Sequence, residues 1–178
     1  LAFGSRGPEE RAAWLRLATA LGEFWRYRGY LSEGREWLAM AIAAPGPALP
    51  LPILAKAHVV AGTLAWTSGD NASARAHFEA TLQLARPVGP TPESAAALLG
   101  LGTLALRDGA FAAARQQIED AVRLFRPLGD QLRLTEALFE LSLLAVFEED
   151  YDRAAPILDE LLAITGHIGD EIGAAYAS

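Results

Sequence analysis

The chain has 178 residues, just over half of them hydrophobic, and carries 15 basic against 22 acidic side chains for a net charge of −7. With no cysteine, disulfides and thiolate metal sites are excluded, and with both signs of charge interspersed there is no basic stripe to neutralise a phosphate backbone. No apolar run reaches the roughly 20 residues a bilayer crossing needs, and no signal-peptide pattern opens the chain, so it reads as a soluble, cytoplasmic segment that contacts neither membrane nor nucleic acid.

Apolar residues recur with helical period along nearly the whole sequence, and the pattern returns about every 40 residues. The first helix is expected over residues 9–28 and the second over 32–44, separated by Arg28-Gly29-Tyr30. Four prolines between Pro45 and Pro52 then impose an ordered or extended connection. Helices follow at 53–68 and 71–86, the second with Asp70 as its cap, and Pro87 with Gly89 ends that unit. Thr91, Pro92 and Glu93 form a start signal for 92–108. Ala110 offers no cap for 111–126, which Pro127 and Gly129 close. Asp130 caps 131–148 and Asp150 caps 151–165, where Pro156 predicts a kink or a late start. A ninth helix is expected from about 171, with Asp170 as cap.

Superimposing the chain on itself at this period places Gly22, Gly62, Gly102 and Ser142 in one column. Gly34, Ala74, Ala114 and Ala154 form a second small column, and Leu38, Phe78, Ile118 and Leu158 a large apolar one. A small position on one helix facing a large one on the next is how antiparallel pairs interlock. The units are 9–48, 49–88, 89–128 and 129–168 with a partial fifth at 169–178, all in one repeat domain. A first residue other than Met and a last one inside a helical pattern lead us to expect a piece of a longer protein, with open repeat ends available for self-association.

In the second unit Ala61, Gly62, Ala65, Ala74, Phe78, Thr81 and Pro87, and in the third Leu101, Gly102, Ala105, Ala114, Ile118, Ala121 and Pro127, resemble the tetratricopeptide repeat. The unit here is longer than that family's usual 34 residues. The resemblance implies an all-α fold, a right-handed superhelix of antiparallel helix pairs in the α-solenoid class. The extra length resembles the tetratricopeptide-like arms of large bacterial regulators of the LuxR, antibiotic-regulatory and maltose-regulator types. Residues 24–38, from Phe24-Trp25-Arg26 to Glu36-Trp37-Leu38, look like the segment that begins the repeat arm in such ATPases. In those proteins a nucleotide-binding switch precedes the arm. The sequence holds no G-x-x-x-x-G-K-[ST] loop, so ATP hydrolysis is not assigned to it.

Chemical motifs fare poorly against structural explanations. Gly100-Leu101-Gly102-Thr103-Leu104-Ala105 fits a loose dinucleotide fingerprint but lies within a helix pattern with no preceding strand, so close helix packing explains it better. His58, His77 and His167 form no i, i+4 pair, which favours surface or half-buried roles over metal binding. Adjacent carboxylates such as Glu148 and Glu149 do not face each other on a helix. No catalytic residue, metal or cofactor is expected.

Binding is the better expectation. In tetratricopeptide folds the first helix of each unit lines a groove, and the family's columns map onto Arg16, Thr19, Glu23, Arg26 and Tyr27 in the first unit and Lys56, Val59, Thr63, Trp66 and Thr67 in the second. In the third they fall on Ala96, Leu99, Thr103, Leu106 and Arg107, and in the fourth on Glu136, Phe139, Leu143, Val146 and Phe147. The N-terminal half is polar with a basic bias; the C-terminal half is apolar, as either a binding patch or a packing face. Trp25 and Trp37 are expected to pack in the core. The resemblance implies a scaffold for a protein or peptide partner, or for a small-molecule effector, serving as the sensory arm of a regulator. A free-standing adaptor that clasps a peptide or helix is the alternative.

Overall fold

The computed structural model describes residues 8–44 and 49–177, with side chains from 9 to 44 and 49 to 166. Its helices are α1 (Pro8–Ala20), α2 (Gly22–Arg28), α3 (Leu31–Ala43), α4 (Leu51–Thr67), α5 (Asn71–Ala85), α6 (Pro92–Arg107), α7 (Phe111–Leu128), α8 (Gln131–Phe147) and α9 (Tyr151–Ala177). No strand occurs among the described residues. The chain divides into two compact units, Leu1–Leu101 and Gly102–Ser178.

In the first unit α4 is the centre, packed by α1, α2, α3 and α5. Leu15, Leu38 and Leu64 meet there with Trp25, all essentially buried. Where helices approach most closely the side chain has to vanish. A Cβ on Gly62 would lie 2.7 Å from the Phe78 ring, and one on Gly100 would lie 2.4 Å from the same ring, so Phe78 is gripped between two glycines. Arg11, buried on α1, donates to the carbonyl of Ala44 just past the end of α3. In the second unit α8 lies between α7 and α9. Gly102 lies against Ile118 there, and the Ser142 hydroxyl donates to Phe139 O at 2.7 Å.

The turns inside each repeat share one geometry. Gly29, Gly69 and Gly109 have φ of 80°, 82° and 74°, and Glu149 takes the same left-handed conformation at 60°. At the last three of these turns the chain closes by a bond back to a helix carbonyl. Asp70 N donates to Ala65 O, Ala110 N to Ala105 O and Asp150 N to Ala145 O, each at 2.9 Å. Caps follow the sequence: Asp70, Asp130 and Asp150 each accept from a backbone N–H three residues on at 3.1 Å. Thr91 and Ser94 exchange hydroxyl and backbone N–H bonds reciprocally at the start of α6.

Several expectations need correction. The helix expected over 9–28 is divided at Leu21, although Leu21 N and Trp25 N still find Leu17 O and Leu21 O at 3.0 Å. Gly22, which propagates helix poorly, sits against Val60 there. Pro127 does not end α7, which runs one residue further to a left-handed Gly129. α9 starts on time at Tyr151 despite Pro156, because a proline so near the first turn costs one backbone bond. That helix continues to Ala177, so no ninth helix starts at 171 and Asp170 is not a cap. Glycine in a helix costs about 1 kcal/mol relative to alanine and does not forbid it. Leu158, expected in the core like Leu38, Phe78 and Ile118, is 39% exposed. Of the proline-rich connection, residues 45–48 lie outside the described residues.

Candidate functional site

The first unit presents its proposed lining on α1, α2 and α4. Arg16, Glu23, Tyr27 and Lys56 are exposed, while Arg26, Thr63 and Trp66 are half-buried. Arg26 is already engaged: its Nη2 donates to Glu23 Oε2 at 2.6 Å and to Tyr27 Oη at 2.7 Å, and its guanidinium carbon lies 4.3 Å from the Tyr27 ring centroid. Its charge is therefore largely spent within the helix, which reduces the basic bias read from the sequence. Thr63 donates back to Val59 O at 3.0 Å. Thr19 and Val59 are buried, one step round the helix from the exposed face. Trp25 is buried against Gly34, and Trp37 stacks on Trp14 with centroids 5.8 Å apart, so both pack as expected.

The second unit is different in character. Arg107 is exposed at the end of α6, whereas Thr103 and Leu106 are buried. On α8, Phe139 is 51% and Phe147 61% exposed, with Val146 beside them. Glu136 accepts from Arg133 at 3.0 Å. Burial pushes the Glu140 carboxyl up, Arg107 opposing and Glu136 reinforcing the shift. α8 thus carries a half-buried acid beside an exposed aromatic row.

One pairing was invisible to motif spacing. His58 on α4 and His77 on α5 stand 3.0 Å apart, Nδ1 to Nδ1. Helical i, i+4 spacing cannot find such a pair, because it joins two antiparallel helices. The available signal lay in the repeat columns, where Ala18, Leu98 and Leu138 correspond to His58. A cleft of about 420 Å³, lined by Ser32, Arg35, Glu36, Ala39, Ala61, Ser73 and His77, opens beside it. Arg35 crosses its rim to Asp70 and to Ser68 Oγ, the latter at 2.9 Å. Among the described residues no group of three or more potential metal ligands assembles, and no helix is long and apolar enough to cross a membrane.

Residues 59–128 match the family model of the tetratricopeptide repeat. Over 90% of its length the chain superimposes on the crystal structure of BtubC (BKLC) from P. vanneervenii, with a TM-score of 0.76 at 18% identity. The fold is tetratricopeptide-like. The chain spans 65% of the length of BtubC, and at this identity the likeness concerns the fold alone. No curated protein matches the sequence. The tetratricopeptide-like assignment accounts for the small positions that meet large partners, Gly62 against Phe78 and Gly102 against Ile118.

Proposed function

We propose that this tetratricopeptide-like chain is a non-catalytic scaffold that binds a segment of a partner protein, an extended peptide or a single helix, on the exposed faces of its first helices. The observation that carries the reading is on α8. A helix whose apolar residues extend beyond its packed face leaves part of that surface in water. Packing by α7 and α9 accounts for the burial of Leu134, Leu138, Leu141 and Leu144. Phe139, Val146 and Phe147 lie on the other side, 51%, 43% and 61% exposed, at positions i, i+7 and i+8. A row of apolar anchors with this spacing suits a partner segment that brings its own apolar side chains, one or two helical turns apart. On the first unit, taken by itself, Arg16, Lys56 and the half-buried Trp66 favour acidic or planar groups.

The resemblance of residues 24–38 to the opening of regulator arms carries a narrower proposal. In that setting the scaffold is the sensory arm of a multidomain regulator, and its partner, or a small effector on the same faces, biases a separate nucleotide-binding switch. The free-standing adaptor is the alternative, and it needs no attached module to hold its partner.

The test is selection of peptides from a random displayed library on this protein, with affinities read by fluorescence anisotropy. Replacing Phe139 and Phe147 together by Ser should weaken the selected peptides by about tenfold or more, equivalent to about 1.4 kcal/mol, with helicity by circular dichroism unchanged. Equal binding by this variant and by Trp66→Ala would remove these faces from consideration.

A further inference from the structure

The His58 and His77 rings meet end to end. Their centroids are 5.2 Å apart with the planes tilted by 50°, and the two Nδ1 atoms are 3.0 Å apart. The centroid separation is therefore the nitrogen separation plus close to one ring radius on each side, which points each Nδ1 straight at the other. A shared metal would require the two lone pairs to converge on a third point, and these do not. What this geometry requires is one proton between the nitrogens, carried by one ring and accepted by the other.

Three further observations bear on the pair. Both rings are half-buried, and burial pushes both below the ordinary histidine range, with Arg35 lowering His77 further and Asp70 opposing. The pair is also a departure from the repeat: at the same columns the first unit has Ala18 and Trp37, the third Leu98 and Gln117, and the fourth Leu138 and Ile157. Finally, the cleft that His77 lines gives a displaced ring somewhere to go. Charged groups around it include Arg35 and Glu36 from α3 and Asp70 from the turn between α4 and α5.

We propose that His58 and His77 form an acid-operated latch, which holds α4 against α5 while at least one ring is neutral and releases when both are protonated. The first proton is tolerated, because an imidazolium can still donate Nδ1–H to a neutral neighbour. The second leaves two N–H donors facing each other with no acceptor between them and two like charges in a half-buried site. The rings must then part, and His77 moves toward the cleft, whose lining includes Glu36 as well as Arg35. A polar tie between the helices that does not involve the rings is Thr81, fully buried, whose hydroxyl reaches Ala55 O on α4 at 3.5 Å as well as His77 O of its own helix at 3.1 Å. The latch is independent of whether the first helices bind a partner.

The test is nuclear magnetic resonance on the whole protein, following histidine ring signals and amide protection factors from neutral pH down to pH 5. The two rings should titrate as a coupled pair in two steps, the lower one below the ordinary histidine range. As the second proton binds, amide protection in α4 and α5 should fall by up to about tenfold per pH unit, while α7 to α9 hold theirs. His58→Leu, which places here the side chain found at the same column in the third and fourth units, should abolish that fall. Should His58→Leu not fold, His77→Gln keeps a donor and acceptor opposite His58 and should also abolish it. Independent titration of the two rings at ordinary midpoints overturns the latch, as does an equal loss of α4 and α5 protection in the variant.

Discussion

Glu149 occupies a backbone conformation that the equivalent turns give to glycine. Its φ of 60° matches Gly69 and Gly109, at 82° and 74°, and Glu149 N donates to Val146 O at 3.0 Å just as Gly109 N does to Leu106 O at 3.1 Å. An L-residue pays roughly 1 kcal/mol or more for that region because its Cβ crowds the following carbonyl. Glu149→Gly should therefore stabilise the protein by up to about 1 kcal/mol, offset in part by the greater freedom of glycine in the unfolded chain. The readout is a higher urea midpoint at unchanged m-value. The opposite exchange, Gly109→Ala, meets no atom within 4 Å and is costly through φ alone. The turn at residues 147–150 was legible from its phase in the repeat. That a glutamate would be held at positive φ was not, since it depends on the Schellman bond from Asp150 N to Ala145 O overruling local preference.

At the level of helices, the local signals proved the most readable. Asp70, Asp130 and Asp150 cap as their positions predict, because a cap involves only residues three apart. Ala110 has φ −83° and ψ 62°, close to the −85° and 75° of Asp70, but no side chain to accept a bond. Ala110→Asp should add about 0.5–2 kcal/mol, visible as increased amide protection at the start of α7. What the sequence hid was set by partners distant along the chain. The break at Leu21 accompanies the approach of Gly22 to Val60. Ionic links between neighbouring repeats were likewise hidden: Arg35 to Asp70, Arg115 to Glu148, and Arg126 to Glu160 at 2.7 Å each join residues about 34 apart. Being partly exposed, each contributes little, about 0–1 kcal/mol.

Across the whole molecule, the titratable groups work in opposite directions with pH. His58 and His77 have folded values below the ordinary 6.5, so their contribution is present above that pH and is lost as the pH falls through the folded values. Asp70, lowered from 3.8 by its hydrogen bonds with Ser73 and by Arg35, holds its contribution until stronger acid is reached. Glu140 is raised above 4.5 by burial, so its ionisation costs stability near neutrality and acid removes that cost. Stability should therefore decline from pH 7.5 to 5.5 in thermal melts. Glu140→Gln should raise it at pH 7 and leave it unchanged well below 4.5. Of the candidate surface, the columns did not reveal the depth of each position. Val59, Leu99 and Leu106 were expected to line the groove and are buried, because a column fixes a residue's angle round the helix only to within one neighbour. The positions that set repeat geometry, Gly69, Gly109, Gly62 and Gly102, are all distinct from the exposed positions Lys56, Phe139, Val146 and Phe147. Architecture and surface chemistry are thus written in separate letters of the same sequence, so the exposed set can be rewritten wholesale, by drift or by design, while the turns and helix contacts that define each repeat stay as they are.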